Sequence, residues 1–362
     1  MVIKSIELSD YRNYDSLTMQ FDKGTNILYG DNAQGKTNIL EAIFVAATTK
    51  SHKGSKDKEI INFDKEEAHI RTYLEKEGVE TRVDMHLRKS KSKGIAIDGQ
   101  KIKKAADLLG LCNVVFFSPE DLGIIKNGPA ERRRFVDMEL CQLDSFYLYN
   151  LNHYNKIINQ RNKLLKDMYM NPDLKETLNI WDMQLVSFGS KIIERRRLFV
   201  EQLNDIILEI HKKLSGGKEE LFIKYEPDVE IEEFETKLKF SQDRDMKSKM
   251  TSVGPHRDDF SFMVGDIDIR KYGSQGQQRT AALSLKLSEI ELVKKIAKDT
   301  PVLLLDDVLS ELDSNRQNYL LNSIGDIQTI ITCTGLEEFV NNRFEINKVF
   351  KVSEGTVTCM ND

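Results

Sequence analysis

Long apolar runs are missing from this chain. Uninterrupted blocks such as 114–117 and 302–305 hold only a few residues, where a membrane-crossing helix needs about 18 to 20. An integral membrane protein of the helical kind is excluded. Cysteine is scarce, and Cys112, Cys141, Cys333 and Cys359 form no CxxC pair, so neither a zinc site nor a disulfide framework is indicated. An excess of positive charge is missing too, because 53 Lys and Arg against 58 Asp and Glu leave a formal charge of −5. Any nucleic-acid surface has to be a local patch. The start of the chain lacks a secretory pattern, since Lys4, Glu7 and Asp10 interrupt its apolar residues, and the expected location is cytoplasmic. The six histidines show no metal-ligand spacing, and no repeat, low-complexity tract, helix-turn-helix or finger motif is present.

What is present is a globular composition. The 362 residues are 40% hydrophobic and 31% charged, enough for about two domains and too apolar for a disordered chain. Period-two alternation from Val2 to Leu8 and from Leu17 to Phe21 predicts strands, and Asn26 to Tyr29 a third. A glycine loop follows, and then Ile39, Leu40, Ile43 and Phe44 recur at helical spacing. Residues 68–74, 82–87 and 114–117 read as further strands. After Gly128 and Pro129 a helix is predicted as far as Asn171, and a second from Pro172 to Gly216. Joined by a short link, the two should pack as an antiparallel arm of about 55 Å. Strands return at 260–264, 302–305 and 328–333, with a helix over 277–298. This order predicts an α/β fold interrupted by a helical insertion, divided as 1–118, 119–250 and 251–362.

Gly30, Asp31, Asn32, Ala33, Gln34, Gly35, Lys36 and Thr37 fit the phosphate-binding loop G-x-x-x-x-G-K-[ST] between a predicted strand and a predicted helix. Its glycines let backbone N–H groups close around phosphates, and the helix start presents its positive end. Lys36 then reaches the β and γ oxygens of ATP, and Thr37 ligates Mg2+. The strand at 302–305 ends in Asp306 and Asp307. Asp306 is placed to hold Mg2+ through water, and Asp307 to orient or deprotonate the attacking water.

Two further elements indicate the kind of NTPase. The segment Tyr272 to Arg279, with Ser274, Gly276 and Gln277, resembles the signature loop of the ABC class, and Ser310-Glu311-Leu312-Asp313 resembles its D-loop. In that class the signature loop of one subunit closes on the γ-phosphate held by another, which implies an ATP-dependent head-to-tail homodimer. Further segments complete the pattern in order from about residue 3 to 335: Tyr11 to Tyr14, Ser118 to Leu122, Gly128-Pro129, Arg132 to Asp137 and Gly254 to Asp259. Together they resemble the RecF family, recombinational-repair ATPases of bacteria in the SMC-like ABC group. Asn127 stands where the family has glycine, and the switch position usually held by histidine falls in Ile331 to Thr334, which has none, so γ-phosphate sensing is either weak or carried by Thr332.

The resemblance implies a P-loop ABC-type ATPase head with an inserted helical domain carrying a short arm. It implies ATP and Mg2+ as cofactors and slow, DNA-stimulated hydrolysis. The expected partners are gapped and double-stranded DNA bound without sequence preference, RecR, and RecO and RecA downstream in RecA loading and replication restart. No membrane partner is expected. By the same resemblance Arg12 and Asn13 stand near the nucleotide; as residues alone they read equally as surface groups on a turn.

Other readings stay open at this level. Arg132, Arg133 and Arg134 begin a helix at the wrong end for cations, so an acid such as Glu131 or Asp137, or a DNA phosphate, should compensate them. His256 and Arg257 could face nucleotide or a sheet edge. The basic stretch Arg82 to Lys104 is either a hairpin on DNA phosphates or a solvated loop. The competing functions are the energising ATPase of a transporter, a small-molecule kinase and an ATP-binding scaffold.

Overall fold

A computed structural model describes residues 1–168, 171–335 and 345–360. Period-two burial carries the opening strands β1 (Val2–Tyr11) and β2 (Tyr14–Gln20), and the short, mostly buried β3 (Thr25–Tyr29) follows. Beyond the glycine loop, α1 (Lys36–Thr48) is buried almost all round, and the short α2 (Asp57–Ile60) leads into a meander. The meander comprises β4 (Glu67–Lys76), β5 (Val79–Arg88), β6 (Gly94–Ile97) and β7 (Gln100–Lys101). Among the described residues these strands form one antiparallel sheet in the order β2-β1-β4-β5-β6-β7, solvated on one face as its alternation requires. The continuous apolar run of β8 (Val114–Phe117) is wholly buried.

The helical part begins with α3 (Leu122–Lys126), α4 (Pro129–Leu143), α5 (Ser145–Asp167) and α6 (Leu178–Leu214). The single helix expected from Pro129 to Asn171 is two. Asp144 takes φ −143° and accepts from the N–H groups of Phe146 and Tyr147, so an N-cap interrupts an apolar period that runs on past it. The hairpin is antiparallel: Tyr147 of α5 meets Arg196 of α6, and Arg161 meets Asp182. At 37 residues α6 is about 55 Å long, the expected arm length, whereas α5 has 23 residues. Next come β9 (Leu221–Glu226), α7 (Phe234–Phe240), α8 (Gln242–Ser248) and β10 (Asp259–Val264). They are followed by β11 (Ile267–Asp268), α9 (Ile269–Tyr272) and α10 (Gln275–Ala297).

The chain then runs through β12 (Val302–Asp306), α11 (Ser314–Ser323), β13 (Thr329–Cys333), β14 (Lys348–Ser353) and β15 (Thr356–Cys359). With β3 and β8 they build a sheet in the order β15-β14-β3-β13-β12-β8, parallel apart from the β14/β15 pair. β12 and β13 are buried along their whole length, as interior parallel strands are. The chain divides into two compact units, 1–121 with 289–362, and 122–288. The sequence reading put the second boundary at 250/251. Residues 251–288 group with the second unit, where β10 pairs antiparallel with β9 from Asp259↔Glu226 to Val264↔Leu221.

Candidate nucleotide-binding site

In the first unit β3, β13 and β12 run side by side in parallel, with Asp306 opposite Thr332, Thr332 opposite Leu28 and Cys333 opposite Tyr29. Their carboxyl ends therefore gather the glycine loop, Thr332, Asp306 and Asp307 at one edge, where open α/β sheets bind ligands. The loop backbone is left-handed at Gly30 (φ 156°), Ala33 (φ 63°) and Gly35 (φ 107°). A Cβ on Gly30 would lie 2.2 Å from the Val352 carbonyl oxygen, and one on Gly35 would meet the side chains of Asn13 and Tyr14 at 2.5 and 2.7 Å. Backbone conformation and space both demand the two glycines.

Lys36 is buried, and its Nζ donates to the carbonyls of Gly30 (2.6 Å) and Asp31 (2.8 Å). Burial lowers its pKa, against the opposing charges of Asp307 and Asp306. The Thr37 hydroxyl donates to Asp306 Oδ1 at 2.8 Å, and the Thr332 hydroxyl donates to the same oxygen at 2.7 Å. Thr332 Oγ1 in turn accepts from the N–H of Asp307 at 3.0 Å, so the residue at the switch position holds both acids. Asp307 sits at φ 53°, a left-handed conformation that costs a non-glycine residue about 1 kcal/mol or more. Burial raises its carboxyl above the ordinary range, and Asp306 adds to this while Lys36 opposes it. The Ser310 hydroxyl donates to the Asp307 carbonyl at 2.9 Å, tying the D-loop-like segment to the acid.

Asn13 and Arg12 part company. Asn13 lies against the glycine loop, donating to the Gln34 carbonyl (3.3 Å) and accepting from Asn38 Nδ2 (2.8 Å). Arg12 is committed to Glu41 of α1 through bonds of 2.8 and 2.9 Å, and to the Glu59 carbonyl at 2.7 Å. Burial alone would raise the Glu41 carboxyl, but hydrogen bonds from Arg12 and Ser51 outweigh it and hold the group below its usual range. Sequence reasoning missed Glu41. Its signal was a lone acid inside an otherwise apolar helix.

In the second unit Ser274 precedes α10, accepts from the N–H of Gln277 at 3.2 Å and donates its own N–H to Gln277 Oε1 at 2.8 Å. This is a reciprocal capping box. Gln277 Nε2 donates onward to Glu219 at 2.9 Å, so its amide is used within the loop. Ser274, Gln275 and Gly276 are exposed at the amino end of a 23-residue helix, where N–H groups and the helix dipole favour an anion.

Two arginines at the start of α4 find partners that sequence did not point to, one a carboxylate and one a main-chain carbonyl. Arg132 pairs with Asp259 at 2.7 and 3.1 Å, and Arg133 donates to the Asp258 carbonyl at 2.7 Å. Asp137, one of the expected partners, is bound by Arg196 at 2.8 Å instead. His256 bonds Tyr154 (2.7 Å) and the Thr251 carbonyl (3.1 Å), and burial pushes its pKa down to about 4. The basic stretch is a strand meander with partners at several cations: Arg82 bonds Asp84 (2.8 Å) and Lys93 bonds Asp57 (2.8 Å). Lys91, Lys101, Lys103 and Lys104 are exposed.

The family model described as the RecF/RecN/SMC N terminal domain matches residues 2–358. A protein of Lachnospira eligens named DNA replication and repair protein RecF is 63% identical over 359 residues, covering 99% of both chains. The chain belongs to the RecF family. A second family member, from Agathobacter rectalis and of the same name, is 64% identical over 362 residues and the full length of both chains. Among solved structures, the recombination mediator protein RecF-ATP of the RecFOR pathway has a TM-score of 0.93 at 36% identity, covering 99% of this chain and 97% of its own. An Smc head bound to the C-winged helix domain of ScpA has a TM-score of 0.57 at 17% identity and shares the fold. The fold is therefore the ABC-type ATPase head of RecF and SMC proteins, with the helical hairpin of α5 and α6 as its arm.

Proposed function

We propose that this chain is a DNA-binding ATPase of recombinational repair, in which ATP joins two copies head to tail on DNA and slow hydrolysis releases them. The carrying observation is the hydroxyl–carboxylate chain Thr37, Asp306, Thr332 and Asp307 at the mouth of a glycine loop. Thr37 and Asp306 present hard oxygen donors 2.8 Å apart, the donor type that Mg2+ takes alongside phosphate oxygens. Bound there, Mg2+ would neutralise charge on the β- and γ-phosphates. Gly30 to Gly35 cradle phosphate with backbone N–H groups, and Lys36 leaves its two loop carbonyls to meet phosphate oxygens. Asn13 supports the loop, and Arg12 ties α1 to its own turn through Glu41. Asp307, with its raised pKa and fixed backbone, orients and deprotonates the attacking water. An Asp reaches less far than a Glu, in keeping with slow turnover.

Ser274, Gly276 and Gln277 supply the second phosphate contact, and they supply it to the nucleotide of the other copy. The relatives named for DNA replication and repair, and the RecF-ATP structure of the RecFOR pathway, support a role on DNA, which this reading takes to be gapped and double-stranded. The same reading takes RecR as the direct partner, with RecO and RecA downstream in RecA loading and replication restart, in the cytoplasm. Phosphate release measured with and without gapped duplex tests the reading. DNA should stimulate hydrolysis, and Asp307→Asn should lower the rate by about 10²- to 10⁴-fold while ATP still binds. Turnover that ignores DNA and follows a small phosphate acceptor would contradict it.

A further inference from the structure

The solvated face of the β4–β5 ladder carries a side-chain set that nucleotide chemistry does not use. His69 and His86 are direct cross-strand partners, and their rings stack with centroids 4.1 Å apart. Glu67, two residues before His69, shares that face because strand side chains alternate, and its Oε2 lies 2.6 Å from Nε2 of His86. One ligand atom from each of the three lies within 4.8 Å of the others, the single such group of His, Cys, Asp or Glu among the described residues. His69 and His86 line a basin of about 480 Å³ whose walls include Glu7, Ser9 and Asp84, and Glu67 reaches it through its bond to His86.

Two imidazoles and one carboxylate are a donor set zinc takes when it keeps a fourth position open. Ligand atoms about 2.0–2.1 Å from a tetrahedral ion stand roughly 3.3 Å apart, so the trio closes on an ion by side-chain rotation while the ladder stays rigid. Surrounding cations are already engaged: Arg71 pairs with Asp84 (2.6 Å) and Glu7 (3.3 Å), and Arg88 donates to the Ser92 carbonyl (3.1 Å). Lys101, also on the wall, is exposed to solvent. We infer that Glu67, His69 and His86 form a surface site for a divalent transition-metal ion of zinc's class, with an open coordination position facing the basin. The sequence hides this site because its ligands come from two strands and meet only through pairing.

The test uses the untagged full-length chain, freed of metal by chelation and kept without nucleotide, titrated with Co2+ and then Zn2+. One Co2+ per chain should bind with the visible absorption of a four-coordinate site, and Zn2+ should displace it with micromolar or tighter affinity. His69→Ala and His86→Ala should each weaken Zn2+ by at least about tenfold, the range that even outer-shell partners carry. Zn2+ should raise the melting temperature of the wild type and not of the double variant. His153→Ala and Asp306→Asn, away from the trio, should bind as the wild type does, and circular dichroism checks that every variant is folded. Absence of saturable binding below millimolar metal overturns the inference, as does binding that survives in His69→Ala/His86→Ala or disappears in Asp306→Asn.

Discussion

The two units handle charge in opposite ways. In the first, the central parallel strands β12 and β13 are buried along their length and the charges of the candidate site gather at one end, where Lys36, Asp306 and Asp307 meet. In the second, charge runs through the core: Arg132, Arg161 and Arg196 are among the largest fully buried side chains. Arg161 bonds Asp182 at 2.6 Å and Asp245 at 2.7 Å, and Arg196 bonds Asp258 at 2.7 Å and Asp137 at 2.8 Å. The contrast teaches that buried charge gathered at a strand end means chemistry and buried charge paired within the chain means architecture. The first unit holds the first kind at Lys36 and Asp306, beside a structural pair, Arg12 with Glu41, whereas the buried arginines of the second are matched by acids of the chain itself.

Single-partner deletions should separate the two kinds sharply. Arg196→Met strands Asp258 and Asp137 in the interior and should cost about 3–5 kcal/mol in denaturant unfolding. Lys36→Met, in contrast, should move the same midpoint by less than about 1 kcal/mol, because it removes a desolvated cation that only loop carbonyls bind, while it removes nucleotide binding. Equal losses in the two variants would erase the comparison.

Acid should reveal the second unit's charged interior before the first. The Thr251 carbonyl can only accept, so Nε2 of His256 carries the proton and Nδ1 accepts from Tyr154, the neutral tautomer. Its folded-state pKa of about 4 lies below the ordinary 6.5, so its contribution is present above pH 6.5 and is lost as pH falls toward 4. The loss amounts to about 3 kcal/mol over that window. Unfolding measured across it should show a stability slope that His256→Gln flattens. A smaller effect than that of His256 belongs to the signature-like loop, where Ser274→Ala removes one helix cap and should cost about 1 kcal/mol while leaving ATP binding by the single chain unchanged.

Legibility in the sequence followed how local each feature is. The glycine loop, Lys36, Thr37 and the acidic strand lie in short contiguous motifs on strand-loop-helix and strand-end positions, so pattern and fold agreed there. Thr332 was legible as a position, and the structure adds its bonds to Asp306 and Asp307. Short edge strands such as β7, β9 and β15 were not, because two to six residues with partial burial leave little periodicity. The break at Asp144 was hidden because its cap competes with an apolar period that continues past it. Arg132 and Asp259 stand 127 positions apart, so no spacing rule could pair them.

Light-scattering mass of the wild type, Lys36→Met and Ser274→Arg, with and without ATP and Mg2+, tests the central claim most directly. The wild type should pass from 41.7 kDa to about twice that on ATP, Lys36→Met should not change, and Ser274→Arg should bind ATP yet stay a single chain. A wild type that binds ATP and remains at the mass of one chain, with DNA present, would contradict the account.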